Sequence, residues 1–373
     1  MTQDSDYPAS GMSTPPPGPT VDATDIWFRL QPDADGVHAV RLCQQNSRPR
    51  NAAHLRRRRD APVWETRIAR PAADRLEYQF ELEFADGRRE LTVDPHNPLR
   101  APGPFGEKSV VELPTYRPPA WLERHGPASG RFLGLRVASD HLAASLDLGL
   151  WTSDGLDDEH EAPLIIVHDG PEYDRYSGLL RCCSAMIADG RMPPLRVALL
   201  PPVDRHEHYA ASPVYARALA RELVPLLDWL APQPPPRPDG RPWRIGMGAS
   251  LGALAVLHAH RRYPRLFGSM FLQSGSFFQT ATDSQEAGFF RFDRITAFVT
   301  QVMGERSWRQ PVPVTMTCGT VEENLANNRR MRDALTLQGY DVGFAEPRDG
   351  HNWVAWRDAF DPHLVDLVRR TLT

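Results

Sequence analysis

Apolar and polar residues keep one rhythm in the first third of this chain and another in the rest. Between Ile26 and Val93 they alternate with a period of two in short runs: I-W-F-R-L, V-H-A-V-R-L-C, V-W-E-T-R-I, L-E-Y-Q-F-E-L-E-F and, after the turn dipeptide Asp86-Gly87, R-E-L-T-V. Runs of this kind are half-buried strands joined by polar turns. With no helical stretch among them they predict a small all-β sandwich over residues 21–115. The sequence D-P-H-N-P-L-R-A-P-G-P-F-G from Asp94, followed by Pro114, Pro118 and Pro119, is too rich in proline for regular structure. A domain boundary is expected there, with residues 116–130 as a proline-rich linker.

From Phe132 the runs lengthen. F-L-G-L-R-V and A-S-L-D-L-G-L-W open the second domain, and almost unbroken apolar strands follow at 163–168, 195–200, 243–247, 269–273, 314–318 and 342–345. Helical patterns lie between them at 184–188, 213–230, 251–263, 324–338 and 353–370. Strands apolar on both faces belong to a mostly parallel sheet covered by helices on each side. Residues 131–373 are therefore expected to form an α/β domain. Residues 1–20, rich in Ser, Thr, Pro and Gly, cannot bury apolar surface and are expected to be disordered.

Composition narrows the classes. Charged residues at 24% and a net charge of −4 give no basic footprint, so neither nucleic acid nor an acidic membrane surface is an expected partner. Cys43, Cys182, Cys183 and Cys318 have neither C-x-x-C spacing nor a pattern fitting a disulfide framework or a zinc site. The first residues lack a basic and apolar leader, and no run of eighteen apolar residues occurs; a cytoplasmic enzyme is expected. The run Arg56 to Arg59 is expected to be a solvated loop.

The chemistry gathers around Gly248-Ala-Ser250-Leu-Gly252. This Gly-x-Ser-x-Gly stands between a predicted strand and a predicted helix, the setting in which a serine projects from a tight elbow as a nucleophile. A serine hydroxyl needs a base to take its proton and an acid to orient that base, and in this fold the chain order is serine, acid, histidine. C-G-T-V-E-E-N supplies Glu322 or Glu323, of which Glu322 is preferred because Glu323 begins a helical pattern; Asp349 is a weaker alternative. D-G-H-N-W supplies His351. His206, His208, His258 and His260 fall in or before helices. The Leu251 N–H, at the start of a helix, is the expected first oxyanion donor. For the second, the loop H-D-G-P-E-Y offers Gly170 or Glu172, since Pro171 has no N–H. Asp169, Glu172 and Tyr173 are candidate pocket residues, though Tyr173 also reads as a packing aromatic. The same end of the sheet is expected to collect Q-S-G-S-F-F (273–278), Arg205 to Tyr209 and Trp353. Arg205 either clamps an anionic substrate or pairs with Glu207 or Glu172. The layout is that of an α/β hydrolase.

G-A-S-L-G, L-Q-S-G-S, C-G-T-V-E-E-N and G-H-N-W-V-A-W-R together resemble the enterochelin esterase-like family of α/β hydrolases. The resemblance covers both domains. It implies an immunoglobulin-like first domain, Ser250 as nucleophile, Glu322 as acid and His351 as base. It also implies hydrolysis of ester or lactone bonds, with trilactone ferric siderophores as substrates, in the cytoplasm. Such a serine carboxylesterase works through an acyl-enzyme and requires no metal or organic cofactor. Its partner is a small-molecule ester. Rival readings are an acyltransferase, a feruloyl or acetyl sugar esterase of the same superfamily, and a degenerate binding protein.

Overall fold

In the strand Asp25–Leu30 the alternate residues Ile26, Phe28 and Leu30 are buried, and in Arg75–Phe84 so are Leu76, Tyr78, Phe80, Leu82 and Phe84. With Val40, Leu42 and Val111 they make one core. It is enclosed by a sheet in the order Thr20–Val21, Asp25–Leu30, Trp64–Ala69, Arg56–Arg57 and a second in the order Ala53–His54, Val37–Gln44, Arg75–Phe84, Lys108–Glu112, Arg100–Ala101, with Arg89–Thr92 also paired to Arg75–Phe84. The computed structural model describes residues 16–44, 53–59, 61–124 and 126–372, and its first compact unit comprises residues up to Pro71, Leu76–Ala101 and Glu107–Leu113.

Residues 1–15 lie outside the described residues, but Pro16 to Thr20 are ordered: Gly18 N–H donates to Arg29 O (2.8 Å) and Thr20 opens a strand. The D-P-H-N-P stretch falls in the first unit, inside the span 21–115 already given to the sandwich. Tyr78 Oη–H donates to Asp94 Oδ2 (2.6 Å) and Asn97 Nδ2 donates to Val110 O (2.7 Å), so side chains supply the hydrogen bonds that the prolines remove from the backbone. Residues 116–124 and 126–130, expected as a proline-rich linker, fall in the second unit, where Trp121, in the single turn Ala120–Glu123, is buried in the same core as Trp151. The arginine run is exposed except for the half-buried Arg58, and Arg56–Arg57 pairs as a short edge strand with Glu65 and Trp64.

The second unit is built on eight strands: β1 (Arg131–Ser139), β2 (Ala144–Thr152), β3 (Leu164–His168), β4 (Arg196–Leu200), β5 (Arg244–Ala249), β6 (Ser269–Gln273), β7 (Val314–Thr317) and β8 (Val342–Ala345). Their order is β1-β2-β4-β3-β5-β6-β7-β8. β1, β2 and β4 are antiparallel neighbours, and every pair from β4 onward is parallel. Alternate residues feed two cores: Ile166, Ala198, Met270 and Leu272 on one face, Ile165, Val167, Val197 and Phe271 on the other. This is the α/β-hydrolase sheet.

Its helices are α1 (Gly170–Ser177), α2 (Leu179–Ala188), α3 (Arg205–His208), α4 (Pro213–Ala218), α5 (Val224–Leu230), α6 (Leu251–Arg262), α7 (Phe292–Gly304), α8 (Leu325–Leu337), α9 (Trp353–Asp358) and α10 (Val365–Leu372). The expected run 213–230 is interrupted by a wide turn at Leu219–Leu223, which accommodates Pro225 and its missing N–H. Among the described residues no helix is long and apolar enough to cross a membrane.

Three buried histidines of this unit make its stability depend on pH. Burial pushes His168 down to about 4 and His258 and His260 down to about 3. The unfolded chain therefore binds more protons than the folded one between those values and the ordinary histidine range near 6.5. Stability is full above that range and is lost as pH falls through it, at up to about 1.4 kcal/mol per pH unit for each histidine. Urea midpoints measured at pH 7.5, 6 and 5 should drop steeply below pH 6.5; a flat series would mean these rings are hydrated.

Candidate active site

Ser250 sits between β5 and α6 with φ 56° and ψ −120°, a conformation that costs a non-glycine residue energy and that marks functional sites. The elbow is pinned: Ser250 N–H donates to Gln273 O (2.9 Å), and Ser276 N–H donates to Ser250 O (3.1 Å). A Cβ on Gly248 would lie 2.5 Å from the carbonyl carbon of Gly252, so glycine is obligatory at 248. At 252 the demand is softer, since a Cβ there would meet His168 Cβ and Asp169 Oδ2 at 3.4 Å.

The loops after β7 and β8 bring Glu322 and His351 together. His351 Nδ1 lies 2.8 Å from Glu322 Oε2. The other carboxylate oxygen accepts from Ser274 Oγ–H and Gly319 N–H, both at 2.7 Å, so the buried Glu322 side chain has three donors around it. Gly319 permits this closeness: a Cβ there would lie 2.1 Å from Asp349 O. Glu323 is exposed. Asp349 accepts from Gly350 N–H and Asn352 Nδ2, and Asn352 caps α9 by accepting from Ala355 N–H (2.8 Å).

Two first-turn amides lie at the same end of the sheet. The N–H groups of Leu251 and Gly170 begin α6 and α1, where a helix offers them no acceptor. Gly170 opens α1 and Glu172 follows two positions on, after Pro171, with a half-buried side-chain carboxyl. Burial, with the charge of Asp169 adding to it, raises that carboxyl above the usual range.

Arg205 pairs with neither Glu207 nor Glu172. Its Nε and Nη2 grip the two oxygens of Asp169, each at 2.9 Å, while Glu207 is held by Arg291 and Arg294. Asp169 is buried in a left-handed conformation at the mouth of α1, so the guanidinium is fixed by a bidentate fork and its Nη1 is left over. Tyr173 is a packing aromatic: it is fully buried and donates from Oη to Gln273 Oε1 (2.9 Å). Trp353 is half-buried between Tyr176 and Trp356, with ring centroids 5.6 and 4.8 Å away, and Trp356 in turn packs edge-on to His351 at 5.1 Å.

The sequence reading assigned no role to Ser274, Ser276 or Trp356. Trp356 Nε1 donates to Ser274 Oγ (2.9 Å), whose own proton goes to Glu322, so an indole and a hydroxyl buttress the acid. The signal was present in W-x-x-W, which puts Trp353 and Trp356 on one helix face.

The Esterase family model matches residues 153–367. The iron(III) enterobactin esterase of Dickeya dadantii (strain 3937) is 28% identical over 255 residues, 66% of this chain and 56% of that protein. The same-named enzyme of Escherichia coli O6:H1 is 23% identical over 351 residues, 87% of this chain and 83% of its own. The match thus spans little more than half of the Dickeya relative's length. Among solved structures, the enterobactin esterase of Shigella flexneri crystallised with enterobactin superposes with a TM-score of 0.74 at 18% identity, covering 95% of this chain and 96% of that one. A ferulic acid esterase superposes with a TM-score of 0.53 at 16% identity over 65% of this chain and 98% of its own. At these identities the likeness of structure establishes the shared fold.

Proposed function

The chain belongs to the Esterase family, and from that premise we propose that it is a serine carboxylesterase of the enterochelin esterase type, acting on an ester or lactone in the α/β unit. The observation that carries this is the 2.8 Å bond between His351 and a buried, fully hydrogen-bonded Glu322, in the same unit as the strained Ser250 elbow. His351 Nε2 takes the Ser250 proton, Oγ attacks the ester carbonyl, and the oxyanion is held by the amides of Leu251 and Gly170. His351 then protonates the leaving alcohol, and water admitted to the acyl-enzyme repeats the sequence.

The rim supports one substrate class. Trp353, packed on Tyr176 and on the Trp356 that meets His351, offers an aromatic face, and the spare Nη1 of Arg205 offers a charged donor. An aryl, anionic ester fits both, and enterobactin, named for the relatives, is an ester of that chemistry with its iron as cargo. The buried free thiols Cys182, Cys183 and Cys318 accord with a reducing, cytoplasmic setting.

Labelling with a fluorophosphonate, followed by chromatography of products from ferric enterobactin and from methyl ferulate, tests the assignment. Labelling that requires His351, with faster turnover of the trilactone, is expected; folded protein that does not label would overturn it. Trp353→Ala should raise KM for aryl esters about tenfold, the worth of one aromatic stack, with kcat little changed and Trp353→Phe close to wild type. An unchanged KM would place the acyl group elsewhere.

A further inference from the structure

Beside the Ser250 hydroxyl stands a side chain outside the Ser250, Glu322 and His351 set. Ser276 Oγ lies 3.1 Å from Ser250 Oγ, and among the described residues neither hydroxyl has another hydrogen-bond partner. Ser276 is buried in the loop that follows β6. That loop is rigidly held. Gly275 N–H donates to Asn328 Oδ1 (2.9 Å), Asn328 Nδ2 donates to Gly275 O (3.0 Å), Asn324 Nδ2 donates to Ser274 O (2.9 Å), and Ser276 N–H donates to the Ser250 carbonyl itself.

We infer that Ser276 is a catalytic residue, whose hydroxyl donates to Ser250 Oγ and stabilises the charge that gathers there as the Ser250 proton leaves; the inference rests on Ser250 being the nucleophile. A hydroxyl has one proton and two lone pairs. With Ser276 donating into one lone pair, the Ser250 proton is free for His351 and the second lone pair is free for attack. Ser276 keeps its own proton throughout. The Ser250 proton goes to His351 Nε2, then to the leaving alcohol; the proton taken later from water returns to Ser250 Oγ. In the acyl-enzyme Oγ is an ester oxygen and a weak acceptor, and it regains charge as it leaves. The bond is therefore stronger in both transition states than in the states between them, which is the condition for catalysis.

The test uses the full chain with Ser276→Ala, Ser276→Thr and Ser276→Cys beside Ser250→Ala. For Ser276→Ala, the fluorophosphonate labelling rate and kcat for an activated aryl ester should fall about 10- to 100-fold, as for loss of a charge-assisted hydrogen bond. KM and the unfolding midpoint should stay near wild type. Threonine should restore most of the rate, and cysteine, a weak donor of similar size, should fall between; it decides the question if the alanine variant does not fold. Alanine or cysteine variants within about twofold of wild type would overturn the role of Ser276, as would equal losses for alanine and threonine. If Ser250→Ala still labels, the nucleophile itself is wrong, and that result is distinct from either.

Discussion

Alanine at position 250 is expected to lower kcat/KM for every ester substrate by about 10⁴- to 10⁶-fold, the loss seen when one member of a catalytic triad is removed. The fold should not change. The elbow is held by backbone bonds, Ser250 N–H to Gln273 O and Ser276 N–H to Ser250 O, that the substitution leaves in place. Alanine keeps the Cβ and so keeps the strain of φ 56°, whereas Ser250→Gly releases it and should be more stable than wild type by about 1 kcal/mol. A pair of variants, both inactive and ordered in stability as glycine above alanine, would show that the strain belongs to the nucleophile's setting. Turnover by the alanine variant above about a hundredth of wild type would remove Ser250 from the mechanism.

The strands were legible because parallel strands covered on both faces must be apolar along their whole length, and all six predicted after the opening pair are present. Helices were less so. α1 reads G-P-E-Y-D-R-Y-S, polar and opened by Gly-Pro, so it passed for a loop, although proline is at home in a first helical turn. α7 is crowded with Ile295, Thr296, Val299, Thr300 and Val302, whose β-branched side chains disguise a helix held by packing. Glu322 was preferred over Glu323 for lying before the helix, and the helix does begin later, at Leu325.

Contacts between loops were not legible, since they depend on strand order. β3 and β4 are neighbours, which puts Asp169, just beyond β3, against Arg205, which follows β4; neither Glu172 nor Glu207 enters that fork. β5 and β6 are neighbours too, and Ser276 reaches Ser250 for the same reason. A run of letters gives each loop its residues but not the loop beside it.

Glu322→Gln should cost about as much as the loss of the base's correct tautomer, on the order of 10⁴-fold in kcat, with no large change in KM. The surroundings of the side chain dictate this. Oε1 faces two donors, Ser274 Oγ–H and Gly319 N–H, so a glutamine must keep its oxygen there; turning its NH₂ toward them would set donor against donor. The NH₂ is then left facing His351 Nδ1, where Glu322 Oε2 had accepted. It donates to Nδ1, and the ring proton moves to Nε2. An imidazole protonated at Nε2 cannot take the Ser250 proton. Nitrogen-15 spectra of the histidine rings should show His351 protonated at Nδ1 in wild type and at Nε2 in the variant, in parallel with the loss of activity. Glu322→Ala would lose activity as well, but it would also strand the Gly319 amide and the Ser274 hydroxyl and lower stability by about 1–3 kcal/mol. Glutamine therefore separates the orientation of the base from the support of the loop. An active Glu322→Gln variant would mean that His351 is oriented without the acid.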